Sequence, residues 1–413
     1  MTGTRYPFRR YERKPFDRAR CTECGDCLAQ CPVLRMPEPE ARASVAALLR
    51  TFEDDTRADA RAERVLCDCT SCLACNLVCP EDCRPANGIL DVWHRRYRRE
   101  GLPVCARYFL PHSRPNFRTH AIARFADDER AAIEDWQRLD PVDEIFYPGC
   151  NVIASPYLTF SRLFEGIIIR GGLEYCCGEM YFRMGLYDQV EQVARKLTEY
   201  FRKLGVKRVY GSCTACLNVL SNILPQFGAD FGGIEFVSSV KRLHDQLASG
   251  ALPITHPLDQ TTVTVQDPCH AKVYEEEYYE WPRRILEMIG CRIVEAPQNR
   301  QTALCCGIGS GFSHGAAYGK RDIIVGQRAC AANLRAASAQ RIAVYCSGCL
   351  QTQSTAKYVS WTREPVYHLI ELVQEATGET PARRHRKLAF DLLSGTLFRQ
   401  EVGKERFFVP PIA

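Results

Sequence analysis

Ten cysteines in the rear two-thirds of the chain form two copies of one pattern. Each copy has a lone cysteine, a later Cys-Cys-Gly triplet and a still later CxxC. The first copy is Cys150, Cys176, Cys177, Cys213 and Cys216, and the second is Cys269, Cys305, Cys306, Cys346 and Cys349. Adjacent side chains of an extended segment point to opposite faces, so the paired cysteines cannot easily chelate one ion. They can bind neighbouring irons of one cluster, and five thiols exceed what a tetrahedral zinc or a cubane cluster requires.

A second cysteine pattern, CxxCxxCxxxCP, occurs twice near the N-terminus. Its copies are Cys21, Cys24, Cys27 and Cys31 before Pro32, and Cys69, Cys72, Cys75 and Cys79 before Pro80. In such a run three thiolates hold one cubane and the fourth reaches another cluster. We expect one [4Fe-4S] cluster on Cys21, Cys24, Cys27 and Cys79, and one on Cys31, Cys69, Cys72 and Cys75. Zinc is the less favoured alternative, because zinc sites pair two CxxC units and use neither the third thiol nor the proline.

Predicted secondary structure follows the cysteines through both rear copies. A strand leads into each lone cysteine, over 144–147 and 262–266, and a long helix follows each triplet, over 187–204 and 323–336. A second strand ends on each CxxC, and a third strand and a helix come after it. This order repeats after about 130 residues, which indicates a duplicated α/β unit with a largely parallel sheet. Ligands collect at the carboxyl ends of such strands, where these cysteines lie.

Composition constrains the number of domains, the kind of partner and the compartment of the protein. The 413 residues are long enough for two or three domains, and the formal net charge of +5 gives no argument for nucleic acid. Basic residues gather at the two ends, which we expect to be solvated arms or, alternatively, arms that dock on an acidic partner or a membrane. We expect no signal peptide and no transmembrane segment of its own, because no apolar run approaches the roughly 20 residues of a spanning helix. Having 23 cysteines, the chain is expected in the reducing cytoplasm, peripheral to a membrane only through a partner.

Together these motifs resemble the CCG-domain iron-sulfur proteins, and most closely the heterodisulfide reductase catalytic subunit with a ferredoxin-type part fused in front. The resemblance covers residues 21 to about 376. It implies an α/β fold of duplicated CCG domains with Rossmann-like parallel sheets, preceded by an α-helical domain of the bacterial-ferredoxin type with two [4Fe-4S] clusters. It also implies that each five-cysteine pattern holds a non-cubane [4Fe-4S] cluster and that a disulfide substrate is reduced between the two.

The same resemblance divides the chain. Residues 1–101 are expected to form the ferredoxin-type domain and residues 102–142 a connector. Residues 143–260 and 261–380 are expected to be the first and second CCG domains. The remainder, 381–413, is expected to be a basic C-terminal tail.

Two histidines are candidates for delivering protons to released thiolates. His270 adjoins Cys269, and His314 lies eight residues after Cys306. Histidine suits this role because its charge changes near neutral pH. Alternatively, either ring only hydrogen-bonds a cluster sulfur or the backbone. The five cysteines outside both patterns are expected to be mostly core thiols. They are Cys67, Cys83, Cys105, Cys291 and Cys330.

Disulfide cleavage takes two electrons, whereas cubane clusters deliver one at a time. The leading hypothesis is therefore the iron-sulfur catalytic subunit of a heterodisulfide-reductase-like complex, in which cubanes feed non-cubane clusters that reduce, or reversibly oxidise, a disulfide/thiol couple or a similar acceptor. The implied partners are other redox subunits: a flavoprotein, an iron-sulfur protein or a membrane cytochrome. Two alternatives stay open. One is the iron-sulfur relay subunit of a flavin-linked glycolate, lactate or glycerol-3-phosphate dehydrogenase, and the other is a non-catalytic electron relay.

Overall fold

The computed structural model of the protein describes residues 7–308, 320–360 and 363–412. Within these ranges, five α-helices form the front module, which contains the two CxxCxxCxxxCP runs. They are α1 (Asp26–Ala29), α2 (Glu38–Glu53), α3 (Ala60–Asp68), α4 (Ala74–Val78) and α5 (Pro85–Glu100). Helix α5 begins with Pro85, whose fixed φ suits a first turn, and ends at Gly101, whose φ of 71° closes the helix. Its apolar stripe packs inward, and Trp93 is fully buried.

The connector is largely helical. It contains strand β1 (Leu102–Pro103) and helices α6 (Phe117–Ile122) and α7 (Asp127–Trp136). Asn116 caps α6 by accepting hydrogen bonds from the backbone N–H groups of Arg118 and Thr119.

The first rear repeat is built around a four-stranded parallel sheet. Its elements are β2 (Glu144–Tyr147), α8 (Gly149–Val152), β3 (Ile168–Ile169), α9 (Glu179–Arg183), α10 (Tyr187–Leu204), β4 (Arg208–Gly211), α11 (Thr214–Asn218), β5 (Glu235–Ser238) and α12 (Ser239–Ala248). The strand order is β3-β2-β4-β5, and every neighbouring pair is parallel. All four carboxyl ends therefore lie at one edge of the sheet.

The second rear repeat has the same sheet. Outside 309–319 and 361–362, its helices and strands include β6 (Thr262–Gln266), α13 (Glu277–Met288), β7 (Arg292–Ile293), α14 (Lys320–Arg335), β8 (Arg341–Val344), α15 (Ser347–Val359), β9 (Val366–His368) and α16 (Leu369–Ala376). The strand order, β7-β6-β8-β9, is again fully parallel. The two sheets correspond strand for strand, as duplication predicts.

The C-terminal segment is packed on the body of the protein. Residues 381–413, expected to be a basic tail, contain helix α17 (His385–Phe398) and strand β10 (Arg406–Phe407). Helix α17 packs on α15 and α6, and β10 pairs antiparallel with β1 of the connector. The apolar residues Leu388 and Ala389 are buried in this helix, which explains why the segment binds the body despite its basic charge.

One apolar core joins the modules. It includes Trp93 of the front module, Phe182 of the first repeat and Leu350 of the second. Gly185 lies so close to α5 that a Cβ there would sit 2.6 Å from the Leu90 carbonyl oxygen. The front module is thus packed directly on the rear repeats. Among the described residues, no helix combines the length and apolar character needed to cross a bilayer.

Short helices of tighter or wider pitch complete the fold. In the parts of the chain that the structure describes, the 3-10 helices are Asp55–Arg57, Val104–Phe109, Pro156–Thr159, Arg162–Phe164, Leu173–Tyr175, Leu224–Phe227, Cys269–Val273 and Arg300–Thr302. A π-helical turn, Val219–Ile223, follows α11.

Candidate iron-sulfur sites

The first front set consists of Cys21, Cys24, Cys27 and Cys79. All four line one cavity, whose wall also includes Cys75 and Cys83. Burial, followed by the nearby thiols of Cys79, Cys24 and Cys21, raises the pKa of Cys27. The structure thus places the last cysteine of the second run beside the first three of the first run.

The second front set consists of Cys31, Cys69, Cys72 and Cys75. Burial and then the Cys72 thiol raise the pKa of Cys31 to about 11, so Cys31 lies among the thiols of the other run. Backbone N–H groups donate to two of these sulfurs: Leu34 to Cys31 Sγ at 3.5 Å, and Ser71 to Cys69 Sγ at 3.4 Å. Such hydrogen bonds tune the potential of a cluster held by these sulfurs.

Each run turns into its short helix through a residue in the left-handed region. Gly25 precedes α1 with φ of 88°, and Leu73 precedes α4 with φ of 62°. A Cβ on Gly25 would meet the backbone nitrogen of Arg42 at 2.9 Å, so the first run needs glycine at this position. The turn carries the third cysteine of each run onto its helix.

The first and second rear sets are the two five-cysteine patterns, and all ten thiols lie at the carboxyl edges of the sheets. All 23 cysteines fall in the described parts of the chain, and none of them forms a disulfide there. The ten rear cysteines are at most 8% exposed. Neighbouring thiols act on one another's pKa along one line of ten, and two of its links, Cys177 to Cys216 and Cys213 to Cys346, are hydrogen-bonding contacts. Its order is Cys150, Cys176, Cys177, Cys216, Cys213, Cys346, Cys349, Cys306, Cys305 and Cys269.

The middle of this line is a contact between equivalent cysteines. Cys213 and Cys346 each begin a CxxC, and their Sγ atoms are 3.2 Å apart. Within the first rear set, Cys177 Sγ and Cys216 Sγ are 3.3 Å apart. The two rear sets therefore meet at matching ends.

The second cysteine of each adjacent pair is the more acidic one. Hydrogen-bonding contacts with Cys176 and Cys216 lower the pKa of Cys177 to about 6. Those with Cys305 and Cys349 lower the pKa of Cys306 well below its usual value. Because the thiolate is the form that binds metal, the local geometry prepares one ligand in each pair.

A glycine before the first lone cysteine makes room for another thiol. Gly149 has φ of 60°, and a Cβ there would lie 2.6 Å from Cys216 Sγ. No side chain larger than hydrogen fits without moving that sulfur. The Pro-Gly-Cys turn after β2 thus brings Cys216 close to Cys150.

Sequence reasoning missed two buried arginines that contact the lone cysteines. Arg118 Nη2 donates to Cys150 Sγ at 3.3 Å, and Arg183 Nη2 donates to Cys269 Sγ at 2.8 Å. Both side chains are almost fully buried. Arg118 and Arg183 lie 32 and 86 positions from the cysteines that they contact, so only the folded chain brings each pair together.

Of the two candidate histidines, only His270 lies within the described residues. Both ring nitrogens of His270 are engaged: Nδ1 lies 3.0 Å from Asn218 Nδ2, and Nε2 lies 2.9 Å from Glu179 Oε1. Burial opposes ionisation of Glu179, but Arg183 and His270 together lower its pKa to about 2. His314 lies outside the described residues. Proton delivery by either histidine stays a prediction.

Two further buried groups near the rear sets were not anticipated. Burial lowers the pKa of Lys272, against the opposing influence of the Cys72 and Cys269 thiols. The Tyr278 hydroxyl donates to Thr214 Oγ1 at 3.2 Å, beside Cys213. Neither Lys272 nor Tyr278 belongs to a sequence motif, so nothing in the sequence marked them.

Among the remaining cysteines, Cys83 and Cys330 lie near a candidate site. The backbone N–H of Cys83 donates to Cys79 Sγ at 3.3 Å. Burial raises the pKa of Cys330, and the thiols of Cys306 and Cys305 act in the same direction. Cys291 is buried, and Cys67 and Cys105 are half-buried. Among the described residues, no group of three or more His, Cys, Asp and Glu side chains has a geometry suited to a single metal ion.

Two family models match the chain over the cysteine patterns. A model described as the CCG cysteine-rich domain matches residues 145–221 and 263–352. A model described as a 4Fe-4S dicluster domain matches residues 20–84. The matched ranges contain all the front and rear sets.

Known proteins with similar sequences include iron-sulfur proteins and parts of oxidoreductases. The chain is 25% identical over 71% of its length to an uncharacterized iron-sulfur protein of Methanocaldococcus jannaschii, and covers 60% of that protein. It is 24% identical over 61% of its length to the EtfAB:quinone oxidoreductase of Syntrophomonas wolfei, and covers 37% of it. It is 22% identical over 71% of its length to one subunit of the dihydromethanophenazine:CoB–CoM heterodisulfide reductase of Methanosarcina mazei, and covers 79% of that subunit. The chain thus spans about three fifths or less of the length of the first two of these relatives.

Proposed function

We propose that this chain, in which a 4Fe-4S dicluster domain precedes two cysteine-rich CCG domains, is the iron-sulfur catalytic subunit of a heterodisulfide-reductase-like complex. Clusters held by the front sets would receive electrons, and clusters held by the rear sets would pass them to a disulfide or, in the reverse direction, take them from two thiols. The observation that carries the proposal is the line of ten buried thiols whose two halves meet at Cys213 and Cys346. The similarity to a heterodisulfide reductase subunit supports it.

The donor sets fit iron-sulfur clusters. We assign a cubane [4Fe-4S] cluster to each front set and a non-cubane [4Fe-4S] cluster to each rear set. Every member of the four sets is a free thiol, and thiolates are the usual ligands of such clusters. When bound, the clusters supply one-electron steps and iron atoms that can take a substrate sulfur as a ligand.

The chain's own residues prepare the rear sets for this chemistry. Burial excludes water from the ten thiols, which strengthens every charge interaction among them. Arg118 and Arg183 place fixed positive charge against the lone cysteines and offset the negative charge of the thiolates. The rear sets can therefore accept added electrons without exposure to solvent.

Proton supply completes the balance of the reaction. Reduction of a disulfide RS–SR′ breaks the S–S bond and consumes two electrons and two protons, giving RSH and R′SH. We assign proton delivery at the second rear set to His270, which adjoins Cys269 and is oriented by the carboxylate of Glu179. His314 is the other candidate.

A second function is supported by a different relative. The EtfAB:quinone oxidoreductase of S. wolfei favours an iron-sulfur relay subunit of a flavin-linked dehydrogenase, such as one for glycolate, lactate or glycerol 3-phosphate. In that case the chain passes electrons between a flavoprotein and a quinone or cytochrome partner, and substrate chemistry lies on another subunit. In either case we place the protein in the cytoplasm with other redox subunits, because its many cysteine thiols need a reducing compartment.

Anaerobic turnover separates the two functions. The full chain is reduced with dithionite and mixed with a panel of small mixed disulfides, and released thiols are counted. The leading proposal expects catalytic release of two thiols per disulfide, lost in the Cys213→Ser variant. Rapid electron uptake and reoxidation by a quinone without thiol release would favour the relay function.

A further inference from the structure

Arg183 lies where three parts of the protein meet. It ends helix α9, which follows the adjacent cysteine pair of the first rear set. Its Nη1 donates to the carbonyl oxygen of Thr70 at 2.7 Å, and Thr70 lies between Cys69 and Cys72 of the second front set. Its Nη2 donates to Cys269 Sγ of the second rear set at 2.8 Å. One guanidinium therefore spans the gap between a front set and a rear set.

This guanidinium is held in place. The Arg183 side chain is 2% exposed and forms an ion pair through Nε with Glu179. Glu179 is itself fixed by its contact with His270. Because a buried guanidinium in such a network keeps both its charge and its orientation, the fold holds Arg183 against Thr70 and Cys269.

A second buried cation places the same two sets side by side. Lys272 is 1% exposed and donates to the carbonyl oxygen of Ala303 at 2.9 Å. Burial lowers the pKa of Lys272, and the nearby thiols of Cys72 and Cys269 oppose that shift. This observation is independent of Arg183 and points to the same neighbourhood.

The first rear set has a comparable arginine with different neighbours. Arg118 donates to Cys150 Sγ, to the carbonyl oxygen of Phe109 at 2.9 Å and to Met180 Sδ at 3.1 Å. Phe109 belongs to the connector and Met180 to the first repeat. The two lone cysteines thus share a buried arginine contact, but the one at Cys269 also reaches the front module.

We propose that Arg183 is the positioning residue that couples the second front set to the second rear set, so that electrons reach the rear sets first at Cys269 and then pass to the first rear set across Cys213 and Cys346. The inference rests on the cluster assignment of the proposed function. In each transfer the cluster held by the second front set would lose one electron and the cluster held by the second rear set would gain it. Dithionite supplies the electrons in the test below.

The charge of Arg183 has a measurable consequence. A positive charge hydrogen-bonded to a ligand sulfur favours the reduced, more negative state of that site. Because hydrogen bonds to charged groups are among the stronger ones, we expect the loss of this contact to shift the reduction equilibrium about tenfold. For a one-electron couple a tenfold change corresponds to about 59 mV.

The test compares Arg183→Gln, Arg183→Lys and the matched control Arg118→Gln, each as the full chain purified anaerobically. Iron and sulfide analysis first shows whether the rear sets are loaded. A wild type without rear clusters would contradict the proposed function, whereas loaded clusters allow the inference to be tested separately. Redox titrations followed by EPR then give the potential of each rear site, and Cys177→Ser and Cys306→Ser identify which signal belongs to which set.

In Arg183→Gln we expect the reduction potential of the second rear set to fall by about 59 mV, which corresponds to a tenfold change in the equilibrium. We also expect the fast phase of its reduction to be lost. Arg183→Lys keeps the positive charge and should give the wild-type reduction potential. Arg118→Gln should change the reduction potential of the first rear set only. As a second variant, Glu179→Gln removes the negative charge that opposes Arg183, and it should raise the reduction potential of the second rear set. Loaded Arg183→Gln protein with an unchanged potential and fast phase would overturn the inference, as would an equal effect of Arg118→Gln on the second rear set.

Discussion

Cys213 and Cys346 face each other with their Sγ atoms 3.2 Å apart, although 133 positions separate them in the chain. Because they are equivalent residues of the two repeats, the contact is self-complementary, like that across a two-fold axis. Each cysteine begins the CxxC of its own set. The two rear sets are therefore joined through one matching thiol from each repeat.

The adjacent pairs provide the first prediction. Cys177→Ser or Cys306→Ser removes the thiol whose neighbours hold its pKa below the usual value, and so removes one non-cubane site. Of about sixteen irons per chain expected for four [4Fe-4S] clusters, about four should be lost while both cubane signals remain. Iron analysis and EPR measure this. A serine variant that keeps all of its iron would refute the ligand assignment.

Cys83 tests the front module. It borders the same cavity as Cys21, Cys24, Cys27 and Cys79, yet it lies outside the cysteine run. We expect Cys83→Ser to leave the iron content unchanged, because four thiolates already complete the cubane. The matched control Cys79→Ser should lose one cubane. If the two variants lose iron equally, the fourth ligand has been assigned to the wrong cysteine.

Gly149 tests the close approach of Cys216. In Gly149→Ala the new Cβ would lie 2.6 Å from Cys216 Sγ, so this ligand must move and the first rear set should bind less iron. Gly166 is the matched control, since its φ of 75° carries the same backbone strain but a Cβ there meets nothing within 4 Å. Gly166→Ala should cost only about 1 kcal/mol of stability and no iron. Equal iron loss in both variants would show that backbone strain alone explains the effect.

His368 gives a pH dependence with a definite sign. Burial lowers its pKa from 6.5 to about 4. Between these values the unfolded chain binds more protons than the folded one, so stability falls as the pH drops below about 6.5. His368→Asn keeps a hydrogen-bond acceptor for the Ile370 N–H but cannot titrate. Between pH 7 and pH 5.5 the free energy of unfolding of this variant should therefore fall by about 1 kcal/mol less than that of the wild type.

Anaerobic urea unfolding at the two pH values measures this difference. The matched control is His256→Asn, which removes an exposed histidine and should follow the wild type. A wild type and a His368→Asn variant that lose stability in parallel would contradict the assigned cause.

Much of the rear fold could be predicted from the sequence because its strands are apolar and its helices amphipathic. The strand over 262–266 and the helix over 187–204 have the expected bounds in the structure. Strands β3 and β7 were not predicted, since each has two residues and lies at a sheet edge with little apolar signal. The packing of α17 was also missed, because the basic charge of the segment hid its buried apolar residues, such as Leu388.

The cysteine sets could be predicted from the sequence because cluster chemistry fixes their spacing. The side chains that surround these cysteines could not be predicted. Arg118 and Arg183 reach Cys150 and Cys269 only after the connector and α9 have packed on other parts of the chain. No spacing rule links residues that far apart. Long-range contacts of single side chains are decided by tertiary packing, which periodicity does not encode.

The central claim is that each rear set holds a four-iron cluster. The most direct measurement is an anaerobic crystal structure of the purified full chain, with anomalous scattering recorded at the iron edge. The account predicts iron density bridging Cys150, Cys176, Cys177, Cys213 and Cys216, and again among the five cysteines of the second rear set, besides two cubanes in front. Zinc, cystine bridges or iron confined to the front module would contradict it.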